Sequence, residues 1–335
     1  MASYFPEMKA IPGSKPSLGP SHTLSPSLNR REFLLATATT AAAASVGATL
    51  LATGCASNQP RAGRWKIGCY TRPWDQHPYQ VALDAVAEAG FDHVGILTAK
   101  GKSWVIINTD TTPEEAARIG QEVRQRNLKT ASVYGDFKAS LSVADNVKAL
   151  HVLIEHCVAC GSPDLLLGGV GEDQLQAVYY ESIKETCDFA ASRGVRLTIK
   201  PHGGTIATGP QCRGKIELVG HKNFRLWYDP GNIYYYSDGA LDPVNDAADV
   251  DGLVAGMSVK DFLKPKQVDV TPGTGLVRFP EVLARLRKGG FRSGPLVVEC
   301  LTRRDPANVK EITAEARKAR EFLQTLLASP TGHGG

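Results

Sequence analysis

From Trp65 onward one pattern recurs eight times: a short apolar run, then a longer stretch with apolar residues at helical spacing. The runs cover residues 66–70, 93–97, 130–134, 164–167, 196–200, 225–228, 256–260 and 295–299, and each reads as a strand. The clearest helical stretch is 112–125, where Thr112 caps, Pro113 opens, Glu114 and Glu115 fill the first turn, and Ala117, Ile119 and Val123 follow. Strand-then-helix units joined by short turns build parallel sheets, and eight is the count that closes a barrel. A (β/α)8 barrel of the TIM type over 61–329 is therefore the predicted fold, followed by a tail at 330–335. An open doubly wound sheet is the weaker alternative. No Gly-rich phosphate loop follows the first strand, where Arg72-Pro73-Trp74 stands instead.

The first 60 residues read differently, as a leader and linker. A polar arm rich in Pro and Ser precedes Asn29-Arg30-Arg31-Glu32-Phe33-Leu34, and an apolar run of Ala and Thr over 34–52 follows. That order predicts a twin-arginine signal, which exports proteins already folded. The run ends in Ala52-Thr53-Gly54-Cys55, which predicts cleavage before Cys55 and a lipid anchor on its sulfur. Ala52 stands where such boxes often carry Leu, so a retained anchor or plain signal cleavage remain alternatives. The expected address is the periplasm or the membrane surface facing it.

Beyond Cys55 six cysteines remain in about 280 residues, too sparse for a disulfide scaffold, and buried thiols are expected. Cys157-Val-Ala-Cys160 ends an apolar helical stretch with no second pair to complete a zinc site. The chain carries +4, and the first 55 residues hold four basic and two acidic residues, leaving +2 for the rest. That charge gives no footprint for nucleic acid.

In such a barrel chemistry sits where the strands end. The fifth ends in Lys200-Pro201-His202-Gly203-Gly204, the sixth in Tyr228-Asp229-Pro230-Gly231-Asn232, the seventh in Lys260-Asp261 and the eighth in Glu299. Four successive strands closing on ionisable groups predict a site, because charge there is costly unless paired. A purely structural plug of ion pairs is the alternative. Around it, Trp74 and Tyr134 are candidates to stack on a sugar, with His77, Asn232 and Arg303 as further binding residues. Arg72, Asp75 and Asp136 lie in the same mouth loops, and Tyr234-Tyr235-Tyr236 belongs either to the wall or to the surface.

These segments resemble the xylose-isomerase-like TIM barrel superfamily, which includes sugar phosphate isomerases and epimerases and is related to endonuclease IV. The resemblance spans residues 66–327 and rests on Tyr228-Asp229-Pro230-Gly231-Asn232, Val259-Lys260-Asp261, Pro272-Gly273-Thr274-Gly275, Phe279-Pro280-Glu281-Val282-Leu283 and Gly294-Pro295-Leu296-Val297-Val298-Glu299. It implies one divalent ion held by Glu, Asp, His and Glu at the ends of strands five to eight. Asp229 and Glu299 match, whereas Lys200 and Ser258 stand at the other two positions. Two outcomes follow: a rebuilt site of Asp229, Glu299 and His202 for Mn, Zn, Co or Fe, or fixed positive charge from Lys200 in place of the ion.

The expected activity is that of an isomerase or epimerase acting on a small carbohydrate by proton abstraction next to a carbonyl. Glu299 is the preferred base, a metal or Lys200 and Lys260 stabilise the enediolate, and His202 returns the proton or protonates a leaving group. Elimination from a keto-glycoside shares that intermediate. A sugar-binding lipoprotein without activity is the second reading, and a nuclease the third. Export favours sugars without phosphate.

Overall fold

The computed structural model describes residues 65–328. The leader with Arg30, Arg31 and Cys55, and the tail at 330–335, lie outside these residues. Eight parallel strands, β1 (Lys66–Tyr70), β2 (His93–Ile96), β3 (Lys129–Tyr134), β4 (Asp164–Leu167), β5 (Arg196–Ile199), β6 (Phe224–Tyr228), β7 (Val254–Val259) and β8 (Pro295–Val298), close in sequence order, with β8 pairing back onto β1. The protein is a single (β/α)8 barrel of the TIM type.

The helices α1 (Tyr79–Glu88), α2 (Pro113–Gln125), α3 (Val143–Cys160), α4 (Gln176–Ser192) and α5 (Gly209–Val219) follow β1 to β5 in turn. Two short helices, α6 (Pro230–Tyr236) and α7 (Pro243–Asp246), follow β6, then α8 (Phe279–Lys288) follows β7 and α9 (Val309–Ala328) follows β8. Helix α2 begins as its sequence predicts. Thr112 Oγ1 accepts the Glu115 N–H at 3.2 Å, and Glu115 Oε2 accepts the Thr112 N–H at 3.0 Å, which satisfies two otherwise orphaned donors.

Because strand side chains alternate faces, each strand contributes one row to the layer under the helices and one to the barrel interior. Cys69, Val133, Leu197, Ile199, Met257, Val259, Leu296 and Val298 join the outer core. Tyr70, Tyr134, Leu166, Trp227 and Val297 form a separate interior cluster. Two glycines make room for its largest rings: a Cβ on Gly95 would lie 2.2 Å from the Tyr70 ring, and one on Gly256 would lie 2.5 Å from Trp227. These rings plug the barrel as a floor beneath its mouth. At the opposite rim Arg196 forks onto Asp164 at 2.6 and 2.9 Å, an ion pair remote from the mouth. Cys69, Cys157, Cys160, Cys187, Cys212 and Cys300 are all buried and unpaired, as the spacing implied.

Candidate active site

The interior rows continue past the strand ends in steps of two. Tyr70 leads to Arg72, Tyr134 to Asp136, Leu166 to Gly168, Trp227 to Asp229, and Val297 to Glu299. Likewise the interior Thr198 leads to Lys200 and then His202, and Ser258 leads to Lys260. The period of the strand therefore aims seven side chains into one mouth over the aromatic floor.

Four of them form a closed ion-pair network. Lys260 Nζ donates to Asn232 Oδ1 at 2.9 Å and forms ion pairs with Glu299 Oε1 at 2.8 Å and Asp229 Oδ2 at 3.2 Å. Lys200 Nζ donates to Glu299 Oε2 and, at 3.3 Å, to Asp229 Oδ2. The remaining oxygen, Asp229 Oδ1, accepts the Asn232 N–H at 3.0 Å as the cap of α6. Asn232 is itself anchored, its Nδ2 donating to the Pro201 carbonyl at 2.6 Å. Gly231 permits the close packing, since a Cβ there would lie 2.7 Å from Lys260 Cγ. All four carboxylate oxygens thus face an ammonium group or a backbone N–H, and Lys200 has two of its three N–H groups engaged by described residues.

Burial and charge set the protonation states. Burial pushes the Glu299 carboxyl up, but Lys200, Lys260 and Arg72 outweigh it and hold the group well below the usual carboxylate range. Such a carboxylate is a weak base, so Glu299 serves better as an anchor for two ammonium groups than as the proton acceptor expected from sequence. His202 is pushed down to about 3 by burial and by the ammonium groups of Lys200 and Lys260. Its imidazole is neutral at ordinary pH and has no proton of imidazolium to return.

This arrangement does not fit the ion expected between Asp229, Glu299 and His202. Among the described residues no group of three His, Cys, Asp or Glu side chains is placed to hold a metal. The physical reason lies in the donor set: both carboxylates already carry ammonium groups, and a divalent cation among them would meet two like charges. Ser258, at the fourth ligand position, is buried and offers a neutral hydroxyl.

The outer candidates divide. Tyr134 is buried in the interior cluster at the mouth, near Asp136, Glu299 and Tyr236. Tyr236 turns its ring edge toward His202, 6.0 Å between centroids, whereas Tyr234 stacks on Phe262. Trp74 is fully buried in the outer core, which corrects its assignment as a sugar platform. Arg303 bridges Asp75 and Asp269, each at 2.8 Å, rather than pairing with Glu299. His77 Nε2 donates to the Pro306 carbonyl at 3.2 Å, tying two mouth loops together. Arg72 donates to Cys300 Sγ and lies 3.5 Å from Asp269. Among the residues that sequence reasoning left without a role is Asp136, although the step of two beyond Tyr134 places it in the mouth.

The eight-stranded barrel is of the TIM type, and residues 83–326 match the xylose isomerase-like TIM barrel family, so the chain belongs to it. No curated protein matches by sequence. Among solved structures, the chain is similar to a xylose isomerase domain protein from Planctomyces limnophilus at 20% identity, covering 78% of this chain and 97% of that one with a TM-score of 0.61. It is similar to a D-psicose 3-epimerase, crystallised in the presence of D-fructose, at 14% identity over 79% of this chain and 100% of that one, TM-score 0.62. A probable 3-DHS dehydratase, AsbF of Bacillus anthracis, matches at 13% identity over 77% and 98% of the two chains, TM-score 0.59. At these identities the likeness is one of fold.

Proposed function

We propose that this protein is a carbohydrate-modifying enzyme that removes a proton next to the carbonyl of a sugar or keto-sugar. The observation that carries this reading is the pair of buried ammonium groups, Lys200 and Lys260, fixed by Asp229, Glu299 and Asn232 at the barrel mouth. When the C–H bond breaks, its electron pair moves into the carbonyl group and the oxygen takes the charge. A preorganised cation in a dry site stabilises that oxyanion without reorganisation, and the third Lys200 N–H is the donor left for it. His202 and Tyr134 line the same space and supply neutral hydrogen bonds to hydroxyl groups. Return of the proton to the same or the neighbouring carbon gives epimerisation or isomerisation, and loss of a leaving group gives elimination from a keto-glycoside.

Family membership and the epimerase among the similar structures support the substrate class. The test is incubation with ketopentoses, ketohexoses and keto-glycosides in D2O, reading deuterium incorporation by mass spectrometry. Exchange in the wild type, reduced about 10²-fold or more in Lys200→Met, is expected. Absence of exchange across the panel refutes the reading.

The proposed address is outside the cytoplasm, through the twin-arginine signal, with a lipid on Cys55. A Lys pair at Arg30 and Arg31 should leave the protein in the cytosol, and Cys55→Ser should abolish labelling by fatty acid. Retained export or labelling would refute the respective half.

A further inference from the structure

We infer that Asp136 is the carboxylate that takes the substrate proton and hands it back, with the Tyr134 hydroxyl beside it and Glu299 confined to positioning the two lysines. This assignment rests on the function proposed above and names the residue that performs its central step.

The first argument is placement. Asp136 lies two residues beyond Tyr134, on the interior row of β3. Its Oδ1 accepts the Phe137 N–H at 2.9 Å and the Tyr179 O–H at 3.2 Å, which fixes the carboxylate plane. Its Oδ2 faces the bare Cα of Gly168: a Cβ there would stand 2.8 Å from Oδ2 and 2.5 Å from the Tyr134 hydroxyl. The two oxygens therefore pack side by side against one glycine, which has no side chain to displace them. The Gly168 backbone also interacts with His202, so both walls of the mouth share this glycine.

The second argument is elimination among the mouth carboxylates. Asp229 and Glu299 are bound by Lys200 and Lys260, and Asp75 and Asp269 by Arg303. Asp261 is spent on the N–H groups of Phe262, Gly273, Gly275 and Val277. Asp136, like Asp261, has no cation within ion-pair distance among the described residues, but it accepts from fewer N–H groups and lies on the interior row beside the Tyr134 hydroxyl. A half-buried carboxylate without a countercharge is costly, and such groups cluster where a fold does chemistry. The titratable groups that face it are Tyr134, Tyr179 and Tyr180, all neutral. Burial accordingly pushes its carboxyl up to about 7, against the N–H of Phe137, the Tyr179 hydroxyl and the Gly168 backbone, into the range where a group both accepts and releases protons.

The step balances without a co-reactant. The carbon-bound proton passes to Asp136 Oδ2, the electron pair of the broken bond resides on the sugar oxygen facing Lys200, and reprotonation of carbon restores the carboxylate.

The test compares wild type, Asp136→Asn and Asp136→Glu in deuterium exchange, in sugar affinity by calorimetry and in the pH profile of kcat/KM. The wild-type profile should rise through about pH 7. Asp136→Asn should lose exchange by about 10²-fold or more while still binding the sugar, and Asp136→Glu should recover part of it. Exchange by Asp136→Asn within about threefold of wild type overturns this assignment and leaves the proposed function standing. Absence of exchange in the wild type overturns both. Should the Asn variant fail to fold, the native profile decides, because a profile flat between about pH 5 and pH 8 also overturns the assignment.

Discussion

Replacing Glu299 by Gln perturbs the network at its most connected acid. In the native mouth two ammonium groups face two carboxylates, and side-chain exposure is 2% for Lys200, 6% for Lys260, 0% for Asp229 and 5% for Glu299. The variant leaves both ammonium groups on Asp229 Oδ2, one positive charge in excess in a site that water barely reaches. Breaking a buried pair by removing one partner costs about 3–5 kcal/mol. For a domain of this size that corresponds to a melting temperature lower by about 6–20 °C. Lys200→Met should cost a similar amount, because it strands a carboxylate instead. The double variant keeps the balanced pair of Lys260 and Asp229, so its cost should fall short of the sum by about 2 kcal/mol. Urea unfolding of the four proteins at pH 7.5 measures the cycle. Single costs below about 1 kcal/mol, or additivity within about 0.5 kcal/mol, would refute a coupled network.

Stability at Asp136 runs the other way. Its folded-state carboxyl is raised from 3.8 to about 7, so the folded protein binds that proton more tightly and native stability falls as pH rises between those values. Asp136→Asn, whose amide oxygen can still accept from Phe137 and Tyr179, should remove that fall and stabilise the protein by about 2–4 kcal/mol at pH 8. Equal or lower stability of the Asn variant at pH 8 in denaturant titrations would contradict this. Gly168→Ala should slow exchange at least tenfold with little change in the Lys200 and Lys260 network, since its methyl group would displace the Tyr134 and Asp136 oxygens. Wild-type exchange rates in that variant would show that the placement of the Tyr134 and Asp136 oxygens does not matter to the reaction.

Much of this architecture is readable from residue order alone. The eight runs lie within two residues of the strands at each end, because a buried parallel strand needs a continuous apolar segment and its flanking turns punctuate it. Strand parity carries the same reading into the mouth, where Lys200, Asp229, Lys260 and Glu299 converge. What parity does not determine is who pairs with whom. The preference for Glu299 as base came from its place at the end of an apolar strand, and only the two lysines on its oxygens show why it is a poor one. Trp74 was misplaced for a related reason: sequence puts it in a mouth loop, but a 3-10 turn over residues 72–74 rolls its ring into the outer core. Asp136 went without a role because its significance is an absence of countercharge, a property of neighbours distant in sequence. The leader and its cysteine anchor lie outside the described residues and rest on motif order alone.

The measurement that addresses the central claim most directly is crystallography of the mature domain soaked in Mn²⁺, with anomalous data collected at the manganese edge. The account predicts Lys200 Nζ and Lys260 Nζ seated between Asp229 and Glu299, with no anomalous peak among them. A manganese ion bound by Asp229 and Glu299, with Lys200 swung away, would contradict it.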